Sequence, residues 1–573
     1  MTETATTAMD DLDTGRTGTP IRPALTVEHV ENWDDECDLL VVGCGLAGAS
    51  SALKAAENPA VSVIVIDRFD GGGSSQQSGG VLYLGGGTPA QLELGLTDTV
   101  EGMVNYLSLE TGNAVSRDTL ERFSCDNNAI IAWLERFGIR FGGPATEAKT
   151  SYPRTDYLYY SGNERLREST AVAPPAPRGH RVKPRPGGGG SGLSGDDLMI
   201  PLKQALDAAP NIDFQRRTSA TRLLRDVSGR VIGAEVRQIP PGSIAARLHR
   251  KLMQANGNMT LAMLGISRPM LLAALAIERS RGRPRRIRAR NGVVLASGGY
   301  MHNRRMLAEE SPTYRHVAPM GTAGDDGSGI MLGRSVGGAC ARLETVSAWR
   351  CLYPPAGWSK GVLVGPDGER IVNEEAYGAR TGAAMFERAG GRAWLVLDEP
   401  LLKLTREQAK DRALLGYQRM TIGAALRLYT KSAPTLADLA RKIGLPSDTL
   451  TQTILQYNGD IESGRPDQFG KASMLCMPVL KPPFSAVDLS HYTRLNPLLG
   501  ITVGGLKVDE TSGAVLDEHG RPIPGLFAAG RTAVGLPSNL YVSGLSLSDC
   551  LWSGWRAADA ATATGGSRLL SAD

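Results

Sequence analysis

The chain has little of what several specialised classes require. Aromatic residues make up only 5% of its 573 positions, and its seven cysteines (Cys37, Cys44, Cys125, Cys340, Cys351, Cys476, Cys550) form neither a CxxC pair nor a metal-ligand spacing. An odd, scattered set of thiols argues against a disulfide framework and a thiolate metal centre, and for reduced cysteines in the cytoplasm. No apolar run is long enough to cross a bilayer. The opening MTETATTAMDDLDTGRTGTP lacks the basic start and apolar core of a secretory leader, and residues 1–30 read as a disordered tail. A formal charge of only +4 leaves no general footprint for nucleic acid.

Glycine is what the chain has in quantity, at 69 residues. At this length one core does not suffice, so at least two large units are expected. The most informative glycines lie in CDLLVVGCGLAGASSALKAAENPAVSVIVID, residues 37–67. Leu39 to Val42 has the composition of a strand buried on both faces. Gly43, Gly45 and Gly48 follow with GxGxxG spacing, and then a helix and the second apolar strand Val61–Ile66. In such a unit the first glycine allows the tight turn, the second lets backbone approach a pyrophosphate, and the third lets helix and strand pack closely. Leu46 and Ala47 open the helix, whose N-terminal amides face the phosphates. Asp67 ends the second strand, placed for a ribose hydroxyl, with Arg68 beside it. This combination predicts a dinucleotide cofactor.

Beyond Asp67 comes the loop DGGGSSQQSGG. It reads as a second cofactor loop, with Gly73, Ser74, Ser75, Ser78, Gly79 and Gly80 along pyrophosphate and flavin, leading into the strand-like VLYL. Residues from Thr97 to Phe137 read as helical, and Pro174–Gly192 as a Pro/Gly loop without regular structure. TRLLRD and RVIGAEVRQ form two strands of a meander around the turn Val227–Gly229. A third strand is expected at Arg286–Arg290 and a separate buried strand at Val293–Ala296. Ala296, Ser297 and Gly298 then turn toward the cofactor. Residues 241–285 read as a basic amphipathic insertion, either a solvated lid near the substrate entrance or a segment lying on anionic lipid. Residues 325–337 read as a glycine turn, carrying Asp326, that opens a helix. The expected organisation is a first part of the cofactor domain over 31–341, a cap or substrate domain over 342–486, and a second cofactor part over 487–563.

GCGLAG, Asp67, GGGSSQQSGG, VVLASGGY, GDDGSG, GGLKVDE and PIPGLFAAGRTA stand in the order found in the fumarate reductase and succinate dehydrogenase superfamily of flavoproteins. The chain resembles that family over roughly 37–560, apart from the insertion. The resemblance implies an α/β fold: a Rossmann-like FAD-binding domain, with a parallel sheet and a β-meander, carrying an inserted α+β cap. It also implies FAD, held further by Gly530, Arg531, Ser546 and Leu547. Covalent attachment in this family uses a histidine before the double glycine. Gly71 to Ser78 has none, so FAD is expected to be non-covalent.

The superfamily hosts several reactions, so the fold does not choose the substrate. Dicarboxylate members clamp the substrate with an arginine near the C-terminus, but the corresponding SNLYVSGLSLSD has none, which removes a charge-assisted clamp. YVSG closely resembles the Tyr-x-Ser-Gly of 3-ketosteroid Δ4-(5α)-dehydrogenases, and ERIVNEEAYGAR resembles that group's segment with a second catalytic tyrosine, here Tyr377. The implied reaction removes a proton at C4 and a hydride at C5 of a 3-oxo-5α-steroid. Tyr541 and Gly544 are assigned to the C3 carbonyl, and Tyr377 with Ser543 to the proton. Tyr353, Tyr159 and Tyr160 are candidates for the pocket wall, and His491 for a dicarboxylate site. Three alternatives stay open: a 3-ketosteroid 1-dehydrogenase, a fumarate reductase-like reductase of an unsaturated acid or ketone, and an electron-passing flavoprotein in a membrane assembly. The expected partners are a small apolar steroid and an external electron acceptor of unassigned identity, with peripheral membrane contact through 241–285.

Overall fold

The computed structural model describes residues 18–28, 32–146, 157–186, 193–259, 267–412 and 414–566. Of the expected tail, residues 1–17 and 29–30 fall outside these. Residues 18–28 are built into the fold instead: Ile21 is fully buried, and Leu25–Thr26 pairs in parallel with Leu224–Arg225 at a sheet edge.

The main sheet forms because short Val/Ile/Leu runs must be covered on both faces. Its order is Leu25–Thr26, Thr218–Arg225, Val231–Gln238, Arg283–Leu295, Asp35–Val42, Val63–Asp67 and Ile212–Arg216. The two glycine-flanked strands of the nucleotide unit pair in parallel, Leu39–Val42 against Val63–Ile66. Helix Leu46–Ala55 lies against the C-terminal helix Leu545–Gly566. Small residues allow that approach: a Cβ on Gly554 would stand 2.6 Å from the Ala47 carbonyl oxygen, and Ser50 and Ser51 donate to the carbonyls of Leu551 and Gly554.

The third meander strand and the buried strand after it are one element, Arg283–Leu295, and not two. Its first half pairs antiparallel with Val231–Gln238, and its last three residues pair in parallel with Leu526–Ala528. The register shifts between Ala289 and Gly292, where a side chain at Gly292 would meet the Gly525 carbonyl at 2.6 Å. A bulge at that glycine lets one strand serve both partners. The expected Pro/Gly loop also carries a strand, Gly179–Arg181, which pairs with Val81–Tyr83 and Leu158–Tyr159.

A second, antiparallel sheet runs Val362–Val364, Trp394–Leu397, Phe484–Asp488, Thr430–Ala433. Helices flank it, among them Leu436–Ile443, capped by Thr435 at its start and by left-handed Gly444 at its end, and Ser447–Glu462. Arg370, Glu374, Asp467 and Lys471 form a buried charge cluster beneath it. The two sheets have separate apolar cores, and the cavity lies between them. Among the described residues no helix is long and apolar enough to cross a membrane.

Candidate active site

The glycine turn is built as its spacing requires. Gly43 sits at φ +99°, and a Cβ on Gly48 would stand 1.8 Å from the Gly43 carbonyl oxygen. At Gly45 a Cβ would meet only the Ser75 hydroxyl, at 3.7 Å, so the space in front of this residue is open. The short helix Gly73–Gln76 closes over it, and Ser75 Oγ accepts the Leu46 amide at 3.1 Å. Asp67 accepts the amides of Cys44 and Phe69, each at 2.8 Å, and that of Gly71 at 3.3 Å. Burial nonetheless raises its pKa above the usual carboxylate value.

These residues line one end of a cavity of about 1340 Å³. That exceeds the roughly 300–1,000 Å³ of a typical single-ligand pocket, and it gives room for a dinucleotide together with a substrate. Arg68, Ser74, Ser78, Gly79, Ala296, Ser297, Gly298, Asp326, Arg531, Ser546 and Leu547 line the same cavity. Gly48, Gly80 and Gly530 do not, and serve packing: a Cβ on Gly80 would meet the Ser194 backbone at 2.4 Å, and one on Gly530 the Ala47 side chain at 2.9 Å.

The second acid of GDDGSG contributes less to the middle of the cavity than the first. Asp325 accepts two bonds from Arg531 Nη2 at 2.8 and 2.9 Å and one from Ser74 Oγ at 2.8 Å. Asp326 instead pairs with Arg68 at 2.8 Å and accepts the Thr19 amide. Arg531 Nη1 and Ser297 Oγ are buried on the cavity side with no partner among the described residues. Open space before a helix N-terminus, a buried guanidinium and unpaired donors fit the acceptor-rich pyrophosphate and ring of FAD. Among the described residues no histidine lines the cavity.

At the other end Tyr541 and Tyr377 meet, with ring centroids 6.3 Å apart and planes tilted by 42°. Trp349 packs edge-on against Tyr541 at 5.1 Å. The Gly544 amide donates to Tyr541 Oη at 3.4 Å. Burial pushes the Tyr541 pKa up to about 12, while the Gly544 amide and Arg531 act in the opposite direction. Ser543 lines the same wall, held by Ser161, which accepts the Ser543 amide and donates to its carbonyl. Tyr377 precedes helix Gly378–Ala389, and its extended backbone angles place its ring in the cavity and not along the helix.

Tyr353 and Tyr159 also line the cavity; Tyr160 does not, and carries the Arg165 guanidinium 3.9 Å over its ring. His491 lies outside, its Nδ1 3.0 Å from the Gly391 carbonyl and its ring beside His316 at the surface. Trp349, Arg350, Trp358, Tyr417 and Asp325 were not foreseen. Only Asp325 had a local signal, as the neighbour of Asp326. Arg350 is buried, its Nη2 donates to the Asn496 carbonyl at 3.0 Å, and its Nε has no partner among the described residues. Burial lowers its pKa to about 10.

The insertion is a helical hairpin, Ile244–Met259 and Ser267–Arg281. Leu271 and Leu275 bury with Ala323 against Phe69 and Met253, at the Asp67 end of the cavity. The apolar stripe of the second helix has its partner there, next to the nucleotide turn.

Fold and site together define a flavin-dependent oxidoreductase, and the comparisons agree. The FAD binding domain family matches residues 38–544. The 3-oxo-5-alpha-steroid 4-dehydrogenase of Comamonas testosteroni is 35% identical over 525 residues, 89% of this chain and 96% of that protein. The structure of a 3-ketosteroid-delta4-(5alpha)-dehydrogenase from Rhodococcus jostii RHA1, in complex with 4-androstene-3,17-dione, superposes with a TM-score of 0.77 at 28% identity, covering 94% of this chain and 99% of that one. The 3-oxosteroid 1-dehydrogenase of Mycolicibacterium smegmatis is 25% identical over 561 residues, 88% of this chain and 93% of that protein. The chain belongs to the FAD-binding flavoprotein family, in its ketosteroid dehydrogenase branch, and its cofactor is FAD.

Proposed function

We propose that the protein desaturates a 3-ketosteroid between C4 and C5 of a 5α-steroid, with FAD held non-covalently. The observation that carries this is the meeting of Tyr541, Tyr377 and Ser543 in one wall, with the Gly544 amide converging on the Tyr541 hydroxyl. Bound FAD supplies a hydride acceptor. The protein must acidify the α-carbon and remove its proton. Tyr541 Oη donates to the C3 oxygen, and the Gly544 amide, which donates to Tyr541 Oη in the structure, turns to the same oxygen as a second donor. Tyr377 Oη, with Ser543 Oγ as relay, takes the C4 proton. Phenols suit this site because they pack as apolar bodies against a steroid while presenting one hydroxyl each. Trp349, Trp358 and Tyr417 exclude water around them. Arg350 Nε and Asn496 Nδ2 are among the wall donors with no partner among the described residues, ready for a polar group of the substrate other than its ketone.

The test is turnover of a saturated 5α-3-ketosteroid with an artificial electron acceptor, with the product's double bond located. A C1–C2 double bond supports the 1-dehydrogenase reading; turnover of succinate in place of the steroid overturns both.

The outer face of the hairpin supports a second reading, peripheral contact with anionic membrane. Ile244, Leu248 and Leu272 are exposed there, and Arg247, Arg250 and Lys251 stand on the same outer side. An apolar stripe flanked by cations is the pattern of an interfacial helix. Sedimentation with anionic vesicles at low salt, lost at high salt, is the expected result. No binding to such vesicles rules it out.

A further inference from the structure

The inner face of the same hairpin joins the cofactor site. Residues 239–282 leave the meander after Val231–Gln238 and return to begin Arg283–Leu295. Met253, Gln254 and Asn256, near the end of the first helix, line the cavity together with Asp67, Arg68, Phe69, Thr218, Ser219 and Ala220. A chain of charges fastens this helix pair to the nucleotide strand. His249 Nε2 lies 2.9 Å from Glu278 Oε1, Glu278 Oε2 lies 3.0 Å from Arg68 Nε, and Arg68 Nη1 lies 2.8 Å from Asp326 Oδ2. The His249 and Phe69 rings stack at 6.0 Å with planes 19° apart. Burial works against the Glu278 carboxylate, but Arg68 and His249 outweigh it and hold its pKa below the usual range. Both ends of the chain lie in sequence far from Arg68, so the contact is specific to the folded insertion.

Pyrophosphate at Gly45 and ribose at Asp67 leave one direction for the adenine, past Arg68 and Phe69 toward Ala220 and the hairpin. We propose that the insertion is the adenosine wall of the flavin site. Met253 covers a face of the adenine with a polarisable thioether, the amides of Gln254 and Asn256 meet its polar edge, and the His249–Glu278–Arg68–Asp326 chain keeps the wall closed. FAD then leaves only when the hairpin opens. The proposal rests on FAD occupying the cleft, and its test separates the two halves of that cofactor.

The experiment follows flavin fluorescence as FAD leaves the holoenzyme, for wild type, Glu278→Gln and Met253→Ala. Reloading of stripped protein with FAD is then competed with ADP and with flavin mononucleotide, and each inhibition constant is corrected for that protein's own FAD affinity. The expected result is release faster by about ten-fold or more in both variants. ADP should compete less well in both variants, and the mononucleotide equally well in all three proteins. Should Glu278→Gln fail to fold by circular dichroism, Met253→Ala decides alone, because its side chain sits at the cavity edge and supports no charge. Release at the wild-type rate from folded variants overturns the proposal, as does an equal loss of ADP and mononucleotide competition. A Gly45→Val protein that keeps FAD contradicts the placement of the cofactor itself.

Discussion

The side chain of Asn163 accepts the backbone amide of Tyr377 at 2.7 Å across 214 positions of sequence. Asn163 also donates to Glu110 Oε1 at 3.0 Å, and its own amide is bonded to Tyr106 Oη at 2.8 Å. The Glu110 carbonyl in turn accepts the amide of Leu540 and the side chain of Asn539. One buried pair therefore fastens both segments that carry the two tyrosines of the cavity wall. Tyr377 and Tyr541 are positioned by the chain below them more than by each other.

Asn163→Ala removes the fastening without touching the cavity. It takes the Asn163 bond from the Tyr377 amide and from the Glu110 carboxylate, and so loosens the position of Tyr377. A misplacement of about 1 Å can cost on the order of 10² in rate. The expected outcome is a fall of that order in kcat on a 5α-3-ketosteroid, with little change in KM and normal flavin content. Equal losses in kcat and flavin content show that the residue serves the fold and not the tyrosines.

Gly45 and Gly48 give opposite outcomes under similar substitutions. A side chain at Gly45 enters space that the protein leaves open, whereas at Gly48 it collides with the Gly43 carbonyl at 1.8 Å. Gly45→Val is expected to fold with the thermal stability of the flavin-free wild type and to bind no FAD. Gly48→Ala is expected to be insoluble or strongly destabilised. Absorbance at the flavin band, alongside thermal melting of stripped proteins, checks both. Flavin should also leave the wild type completely on acid treatment, since no histidine stands between Gly71 and Ser78 and none of the described residues lining the cavity is one.

Local motifs carried most of the nucleotide half of the site in the sequence. Gly43, Gly45 and Asp67 act through backbone turns and strand ends, so spacing alone locates them. Tyr541 and Ser543 were legible because they are adjacent in one short motif, and Tyr377 because its flanking segment resembles a known one. Trp349, Arg350 and Tyr417 reach the cavity from separate stretches that no periodicity connects. The hairpin's packing surface was hidden for the same reason. Its apolar stripe was visible, but Phe69 and Ala323, the surface it covers, come together only in three dimensions. The continuous strand Arg283–Leu295 reads as two because its pairing changes along its length, and the register shift between Ala289 and Gly292 that joins the halves shows only in the ladder with Asp35–Val42.

Asp549, on the C-terminal helix, is fully buried and accepts the Leu536 amide at 3.1 Å. Burial raises its pKa to about 6. A carboxyl raised in the folded state favours folding while it stays protonated, below the unfolded value near 4. That advantage is lost as pH rises through about 6, since the unfolded chain then releases its proton more readily. Two units correspond to about 3 kcal/mol at full burial. Asp549→Asn keeps the shape and cannot ionise, so its stability relative to wild type should improve between pH 4 and pH 7 and level off above. Parallel melting curves at three pH values check the sign. A relative stability that falls over this interval contradicts the assignment.

Tyr541 carries the sharpest consequence. Tyr541→Phe keeps the ring that packs against Trp349 and removes one hydroxyl donor. Losing one such donor at a developing oxyanion typically costs on the order of 10²–10³ in kcat. Burial pushes the pKa of the wild-type phenol up to about 12, which keeps it protonated as the proposed donor role requires. Any rise of rate with pH should therefore survive in Tyr541→Phe and disappear in Tyr377→Phe, which removes the proton acceptor. If the two groups serve one concerted step, the double variant loses less than the product of the single losses. Rates of the three variants with a 5α-3-ketosteroid, measured from pH 6 to pH 10, decide the matter. A Tyr541→Phe enzyme that turns over near the wild-type rate, or a pH dependence that vanishes with Tyr541 and persists without Tyr377, would reverse the roles given to the two phenols.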